Sequence, residues 1–148
     1  MRALLQRVSS AEVSVAGDVV GAIDQGLLVF LALEPGDDRP AGNLLLERIL
    51  DYRVFADEQG RMNRSVRDVG GGVLLVSQFT LAAETRRGLR PSFSSAMPPA
   101  DAEPLFAALL CDLQAAYSPV AGGRFGADMQ VALVNDGPVT FLLEGTRR

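Results

Sequence analysis

The sequence predicts a mixed α/β fold of the α+β type, dominated by strands and carrying two principal helices. Residues 26–33 and 73–76 are continuously apolar, which is typical of strands buried on both faces. Residues 40–52 and 102–117 instead repeat apolar side chains at helical spacing. Because the 148 residues contain no internal repeat and no linker-like stretch, we expect a single domain, residues 1–148.

The first third is predicted to form a hairpin, a central strand and a helix, in that order. Residues 2–15 are rich in Val, Leu and Ser and read as a strand. The chain then turns at residues 16–18 and returns as residues 19–23. The apolar strand 26–33 follows, and a Pro-Gly-Asp stretch separates it from the helix 40–52.

The middle of the chain is predicted to form strands, a long loop and the second helix. A short strand covers residues 53–56, and three glycines introduce the buried strand 73–76. Residues 82–99 carry three arginines and three prolines without a period, so we predict a long loop, and such loops are usually functional. Asp101 is the predicted N-cap of the helix 102–117.

The last third, residues 120–143, alternates like strands, and breaks are predicted at residues 122–123, 127–128 and 136–137. The third break contains Gly137-Pro138, the Gly-Pro element. Glycine leaves its carbonyl unobstructed, and X-Pro is the one common peptide bond that becomes cis at modest cost. A carbonyl held in this way could gauge the geometry of a ligand; the alternative is a tight turn between two strands.

Two residue types are missing, and their absence restricts the chemistry. There is no histidine, and all 14 basic residues are arginine. This excludes a histidine base, a Ser-His-Asp or Cys-His triad, a Schiff-base lysine and imidazole ligation of a metal. An enzyme built from this chain must therefore use carboxylates, hydroxyls, backbone groups or the substrate itself, and we expect neither a metal nor another cofactor.

Charge and hydropathy restrict the partners and the compartment. The net charge of −4 and the isoelectric point near 4.8 disfavour binding along duplex DNA, but not contact with one RNA end. No apolar run reaches the roughly 20 residues that span a bilayer, and the N-terminus does not resemble a signal peptide. We therefore expect a cytoplasmic protein without a membrane partner. Cys111, the single cysteine, lies among leucines and is predicted to be buried in the core.

The Ser-Gln-Phe-Thr segment, residues 77–80, follows the second buried strand directly. Ser77 and Thr80 supply hydroxyls and Gln78 an amide, and Phe79 and Thr80 supply backbone N–H groups. N–H groups at a strand end are able to stabilise a developing oxyanion. The alternative is an ordinary strand end whose hydroxyls cap the local backbone.

Two further segments combine polar and aromatic residues. Arg86, Arg87 and Arg90 in the predicted loop are flanked by Gly, Pro and Phe, a composition suited to phosphates and a stacked base. The alternative is a solvated arginine run with loose ion pairs. Residues 124–129 end in Met129, whose flexible thioether could line a pocket, unless the segment is only a bent strand.

Taken together, these segments resemble the D-aminoacyl-tRNA deacylase family, also called D-tyrosyl-tRNA deacylase. The shared segments occur in family order and extend over nearly the whole chain. They are residues 1–8, 26–29, 53–55 with 62–63, 77–81, 88–93, 125–129 and 135–140.

The resemblance implies a three-layer β/β/α domain that forms homodimers, with the pocket at the dimer interface. It implies that Gly137-Pro138 is cis and enters the pocket of the other subunit, where its carbonyls accept the substrate's α-amino group. An L-amino acid would collide with this wall, whereas a D-amino acid or glycine would not. Arg7 would brace the Gly-Pro element, and Met129 would contribute to substrate binding.

The implied reaction is hydrolysis of the ester that joins a D-amino acid, or mischarged glycine, to the terminal adenosine of tRNA. Ser77, Gln78, Phe79 and Thr80 are then the catalytic candidates, and Arg86, Arg87 and Arg90 would contact the tRNA. No base stands beside Thr80 in its segment, so we favour attack by water assisted by the ribose 2′-OH over attack by Thr80. The Phe79 or Thr80 N–H would provide the oxyanion contact.

Two other readings remain open. A small-molecule esterase or amidase that uses Thr80 predicts turnover of generic esters without RNA. A dimeric scaffold, in which the Gly-Pro element is a structural turn, predicts no hydrolysis at all.

Overall fold

The computed structural model describes residues 1–145 and contains eight strands, three α-helices and one 3₁₀ turn within that range. A strand-dominated α+β fold was predicted, and the structure confirms it. The elements are β1 Arg2–Val15, β2 Asp18–Ile23, β3 Gly26–Ala32, α1 Arg39–Asp51, β4 Phe55–Ala56, β5 Met62–Arg64, α2 Val66–Val69, β6 Gly72–Ser77, the 3₁₀ turn Phe79–Ala82, α3 Pro99–Ala116, β7 Val120–Gly122 and β8 Gln130–Glu144.

The main sheet is almost closed, and its long strand β1 pairs with three other strands. Its order is β2-β1-β3-β6-β7, and β8 pairs with β1 outside this path. Strand β3 pairs with residues 2–8 of β1 and β2 pairs with residues 11–15, while β3-β6 and β6-β7 are parallel. The two ends of the sheet approach closely, since a Cβ placed on Gly21 of β2 would lie 2.6 Å from the carbonyl oxygen of Gly122 of β7.

Two apolar cores lie on opposite faces of the central strands, as predicted for strands buried on both sides. In β6, Val73 and Leu75 face the core shared with the helices, whereas Leu74 and Val76 face the core between strands. Strand β3 alternates in the same way. The period of two along each strand therefore produces three layers, two of strands and one of helices.

Helices α1 and α3 pack closely on each other in the helical layer. Gly42 of α1 makes this possible, because a Cβ at this position would lie 2.5 Å from Cδ2 of Leu109 in α3. Arg39 donates two hydrogen bonds to Asp112, of 2.6 and 2.7 Å, and Asn43 donates a third of 2.8 Å. The hydrogen bonds from Arg39 and then Asn43 lower the pKa of Asp112 to about 2.

Two predictions about α3 were wrong. The helix begins at Pro99, with Pro98 at the N-cap and no side-chain cap, so Asp101 lies in the first turn and is not the cap. Proline is well suited to the first helical position, since its fixed φ is helical and an N–H there has no partner. Cys111 is exposed and not buried, because α3 buries a different stripe, represented by Phe106 and Leu109.

The last third also differs from the prediction in one respect. The breaks at residues 122–123 and 127–128 separate β7 from β8, but β8 continues through residues 136–137 to Glu144.

The short helix α2 was not predicted. It is formed by a capping box in which Ser65 and Asp68 exchange side-chain and backbone hydrogen bonds. Within residues 1–145, no helix is both long and apolar enough to cross a membrane.

Candidate active site

The Ser-Gln-Phe-Thr segment forms a turn at the carboxyl end of β6. Ser77 ends the strand, and the Gln78 N–H donates to the carbonyl oxygen of Leu31 in β3 at 2.8 Å. The following 3₁₀ turn closes with a hydrogen bond from the N–H of Leu81 to the carbonyl of Gln78. The N–H groups of Phe79 and Thr80 therefore lie in the first turn, where no preceding carbonyl of the turn accepts them.

The side chains of this segment are neutral. Gln78 Nε2 donates to Thr80 Oγ1, which is on an exposed residue. Within residues 1–145 this amide is the only side chain that is hydrogen-bonded to Thr80. An amide is not able to remove a proton from a hydroxyl at neutral pH, so the contact orients Thr80 without activating it as a nucleophile.

A mainly apolar cavity of about 490 Å³ opens beside this segment. Two aromatic pairs stand in its wall: Phe79 and Phe93, with ring centres 5.1 Å apart, and Phe106 and Phe125, with ring centres 6.0 Å apart. None of its lining side chains is ionisable. They belong to Leu31, Leu33, Ser77, Gln78, Phe79, Phe93, Ser94, Ala96, Met97, Pro98, Pro99, Ala102, Phe106 and Phe125, with Gly126 completing the wall. Such a cavity suits a flat apolar group, such as a nucleobase, with a few polar groups at its edge.

The predicted long loop, residues 83–98 in the structure, reaches the edge of this cavity. It is closed by a bridge between Glu84 and Ser92, and its Phe93 packs on Phe79. Arg86, Arg87 and Arg90 are exposed on it, and Arg86 lies 3.6 Å from a Glu84 carboxylate oxygen. The predicted arginines therefore lie at the tip of a loop whose base contacts the Ser-Gln-Phe-Thr segment through Phe93, and none of them lines the cavity.

The Gly-Pro element lies in a bulge of β8, residues 136–139. Thr140 pairs with Gln6 and Asn135 pairs with Val8, so the four residues of the bulge face Arg7 alone. The Gly137-Pro138 peptide bond is cis, as the resemblance implied, and Gly137 has a φ of +140°. A second cis bond, Ser118-Pro119, was not predicted.

Arg7 holds the start of this bulge. Its Nε donates to the carbonyl oxygen of Asp136 at 3.0 Å, and its Nη1 donates to the carbonyl oxygen of Val54 at 2.7 Å. The Asp136 carboxylate lies 3.7 Å from Nε, and the Arg7 side chain is only 15% exposed. A guanidinium with several fixed acceptors is a rigid support for the backbone that it contacts.

One chain does not bring the two signature segments together. Ser77 of β6 pairs with Leu31 of β3, and Leu31 in turn pairs with Ala3 of β1. The bulge of β8 instead faces Arg7 of β1. Four residues of a strand separate these positions, a distance of about 13 Å. No residue of the bulge lines the cavity. Met129 does not line it either, and packs instead on the core between strands, close to Gly123.

Sequence reasoning missed residues of two kinds. Ala102 and Phe106 of α3 form part of the cavity wall, and only the tertiary fold brings them there. Asn135 was not singled out as a site residue, although its side chain bonds both the Val139 N–H, at 3.0 Å, and Thr140 Oγ1, at 2.9 Å. An Asn directly before Asp-Gly is a signal for such local side-chain bonds.

The fold and the site define a class of protein: a three-layer, strand-dominated α+β domain with a mainly apolar cavity at a strand end and no ionisable side chain in the cavity lining. The chain belongs to the D-Tyr-tRNA(Tyr) deacylase family, whose sequence profile matches residues 4–144.

Curated relatives and solved structures extend this result. Proteins named D-aminoacyl-tRNA deacylase from Pseudomonas putida KT2440 and Azotobacter vinelandii DJ are 67% and 63% identical to this chain, each over 97% of it and 99% of the relative. A solved structure of the c-Myc DNA unwinding element binding protein is 40% identical, has a TM-score of 0.93 and covers 99% of both chains. A probable eukaryotic D-amino acid tRNA deacylase shares the fold at 15% identity, with a TM-score of 0.86 over 96% of this chain and 97% of its own.

Proposed function

We propose that this chain hydrolyses the ester bond of D-aminoacyl-tRNA and releases the free D-amino acid and tRNA. The observation that carries this proposal is membership of the D-Tyr-tRNA(Tyr) deacylase family over residues 4–144, with named deacylases 62–67% identical over 97% of the chain. It makes the chain a hydrolase acting on aminoacylated tRNA. We extend the proposal to glycine mischarged onto tRNA, because glycine has no side chain for a chiral wall to exclude.

The proposed mechanism uses the cavity for the terminal adenosine and the Ser-Gln-Phe-Thr segment for the ester. The ring pairs suit stacking of adenine, and Ser77 and Gln78 contribute polar groups to the lining. The N–H of Phe79 or Thr80 stabilises the oxyanion, with the Thr80 side chain oriented by Gln78. Because no ionisable side chain lines the cavity, the ribose 2′-OH assists the attack of water.

Replacement of Thr80 tests this mechanism. We expect Thr80→Ala to retain hydrolysis within about tenfold of the unmodified chain, since the backbone donor and the 2′-OH remain. Single-turnover hydrolysis of labelled D-Tyr-tRNA measures it, with Thr85→Ala in the exposed loop as the matched control. A fall of Thr80→Ala to the uncatalysed rate would establish Thr80 as the nucleophile.

We propose that the Gly-Pro element forms the chiral wall, with its carbonyls accepting the substrate's α-amino group and Arg7 bracing the bulge. The contacts of Arg7 with Asp136 and Val54 support the bracing role. Gly137 and Pro138 are exposed in one chain and lie far from Ser77 along β1, so the wall must come from a second copy.

A homodimer supplies this second copy. Within residues 1–145, β8 pairs only with β1, which leaves its other edge open. Val134, Phe141 and Leu142 of β8 are between 37% and 58% exposed, and unpaired edges with apolar side chains favour strand-to-strand association. Light scattering coupled to size-exclusion chromatography measures the mass, and a monomer at assay concentration contradicts the shared site.

The remaining assignments concern other contacts and the compartment. We propose that Arg86, Arg87 and Arg90 bind tRNA phosphates, because they are exposed on the loop whose Phe93 lines the cavity. Met129 remains a proposed substrate contact. The net charge of −4 disfavours DNA as a partner, although the name of one structural relative refers to DNA binding by that protein. We propose cytoplasmic action without a metal or cofactor.

The decisive experiment incubates labelled D-Tyr-tRNA, L-Tyr-tRNA and Gly-tRNA separately with catalytic amounts of the protein, without added metal. Rapid release from the D-ester and not from the L-ester is the expected result, and the Gly-tRNA arm decides the extension to glycine. Release from both tyrosyl esters would keep the hydrolase and reject the chiral wall. Release from none would favour the scaffold, and turnover of generic esters alone would favour the small-molecule esterase.

A further inference from the structure

The base of the bulge in β8 is bridged by one side chain. Asn135 immediately precedes the bulge, and its Oδ1 accepts a hydrogen bond from the N–H of Val139, the last bulge residue, at 3.0 Å. Its Nδ2 donates to Oγ1 of Thr140, the first residue after the bulge, at 2.9 Å. Gln6 on β1 donates to the same hydroxyl oxygen at 3.4 Å. The side chain of Asn135 thus ties the entry of the bulge to its exit.

The bulge is therefore held at both ends and left open at its tip. Arg7 holds the carbonyl of Asp136 at the start, and Asn135 holds the N–H of Val139 at the end. Within residues 1–145, no side-chain hydrogen bond goes to the carbonyl of Gly137 or Pro138. The fixed ends determine where these two carbonyls lie, and the carbonyls themselves stay available to a ligand.

Val139 connects the Asn135 contact to the tip of the bulge. It is buried, and its backbone N lies only 2.9 Å from the place of a Cβ on Gly137, with its Cγ2 at 2.6 Å. Val139 therefore occupies the side of Gly137 on which a side chain would stand, and only Pro138 separates the two residues along the chain, so a shift of the Val139 N–H displaces the Gly137-Pro138 segment.

We infer that Asn135 is a positioning residue for chiral selection: through Val139 it fixes the carbonyls of Gly137 and Pro138, and Thr140 orients its amide. This inference rests on the proposed function, in which those carbonyls receive the substrate's α-amino group. Asn135 itself need not touch the substrate. Its loss should loosen the wall, so that L-esters enter more easily and D-esters are held less accurately.

The test compares Asn135→Ala with Asn43→Ala. Asn43 also donates a side-chain hydrogen bond, of 2.8 Å to Asp112, but lies in α1, away from the bulge. We expect Asn135→Ala to lower the ratio of kcat/KM for D-Tyr-tRNA over L-Tyr-tRNA by about tenfold, the effect of one lost hydrogen bond. Asn43→Ala should leave the ratio unchanged while lowering Tm to a similar extent.

Two further variants separate positioning from general stability. Asn135→Asp keeps an acceptor for the Val139 N–H and is able to accept from the Thr140 hydroxyl, so it should restore most of the ratio. Thr140→Val removes the partner of the amide and should lower the ratio by a smaller factor. A wild-type ratio in Asn135→Ala, with only Tm reduced, would overturn the inference. Absence of D-Tyr-tRNA hydrolysis by the unmodified chain would instead reject the proposed function, and this inference with it.

Discussion

Gly137→Ala is the substitution for which the structure predicts the clearest combined loss of stability and selectivity. The new Cβ would lie 2.6 Å from Val139 Cγ2, 2.9 Å from the Val139 backbone N and 3.3 Å from Arg7 Nη2. Gly137 also has a φ of +140°, a backbone conformation that L-residues with a side chain rarely adopt. The Val139 backbone nitrogen is not a flexible group, so either the strain remains or the bulge moves.

The substituted chain either keeps the bulge in place under strain or lets the bulge move, and the less costly of the two sets the expected loss of stability. If the bulge stays in place, backbone strain contributes about 1–3 kcal/mol and the overlap with Val139 about 1–3 kcal/mol more. If it moves, the hydrogen bond that Arg7 donates to Asp136 and the one that Asn135 accepts from Val139 are lost, which together contribute about 2–4 kcal/mol. We therefore expect the free energy of unfolding to fall by about 2–4 kcal/mol, or Tm by about 4–16 °C.

Gly17→Ala is the matched control for this prediction. Gly17 has a φ of +85° in the turn between β1 and β2, and nothing lies within 4 Å of a Cβ placed there. Gly17→Ala should lower the free energy of unfolding only by the cost of the left-handed backbone conformation, about 1–2 kcal/mol, with no change in chiral selection. Denaturant unfolding measures stability, and hydrolysis of D-Tyr-tRNA and L-Tyr-tRNA measures selection. The reasoning fails if Gly137→Ala loses no more stability than Gly17→Ala and keeps the wild-type D-to-L ratio.

Three other predictions concern the helical layer and the tRNA contacts. Arg39→Gln should lower Tm at pH 7, and the difference in Tm from the unmodified chain should shrink as the pH falls from 4 towards 2. The reason is that the pKa of Asp112 is lowered to about 2 in the folded chain, so this carboxylate stabilises the fold above its unfolded pKa of about 3.9 and loses the effect as it is protonated. A Tm difference independent of pH would contradict this prediction. Gly42→Ala should destabilise the fold by about 1–3 kcal/mol in denaturant unfolding and by much less in a Leu109→Ala background, which removes the clash; equal losses in both would refute that packing. Arg87→Gln should raise KM for D-Tyr-tRNA a few-fold and weaken its salt dependence, leaving the phosphate-free ester D-tyrosyl-adenosine unaffected, and equal effects on both substrates would reject the phosphate contact.

The layers of the fold could be predicted because local patterns determine them. Strands β3 and β6 are apolar on both faces, and the structure places both faces in cores. Helix α1 begins within one residue of the prediction, since Asp38 caps it and proline follows. The errors arose where a single residue type was given too much weight. An acidic residue before a helix suggests a cap at Asp101, but two prolines precede it and start the helix. The leucines around Cys111 suggest a core position, but Cys111 lies off the buried stripe.

The site was only partly predictable, for a different reason. The Ser-Gln-Phe-Thr segment follows a buried strand, so its place at a strand end is a local property of the sequence. The wall formed by Phe106 and Phe125 depends on how α3 and the loop before β8 pack, which no local pattern specifies. The bulge was likewise predicted as a break between strands. A strand that continues past a four-residue bulge requires a long partner on both sides of it, and β1 provides this partner.

The separation of the two signature segments has a consequence for how selectivity could be lost. Along β1 they lie about 13 Å apart, so under the proposed function the wall and the hydrolytic segment of one site come from different copies. Each copy then carries half of two sites. A mixture of Gly137→Ala and Phe79→Ala chains, the first without the wall and the second without a stacking ring of the cavity, should contain some dimers in which one site is intact. D-specific hydrolysis should recover when the two variants are mixed, and it should not recover when each variant has first been cross-linked as a pure dimer. A shared site explains this pair of results, and no arrangement within one chain does.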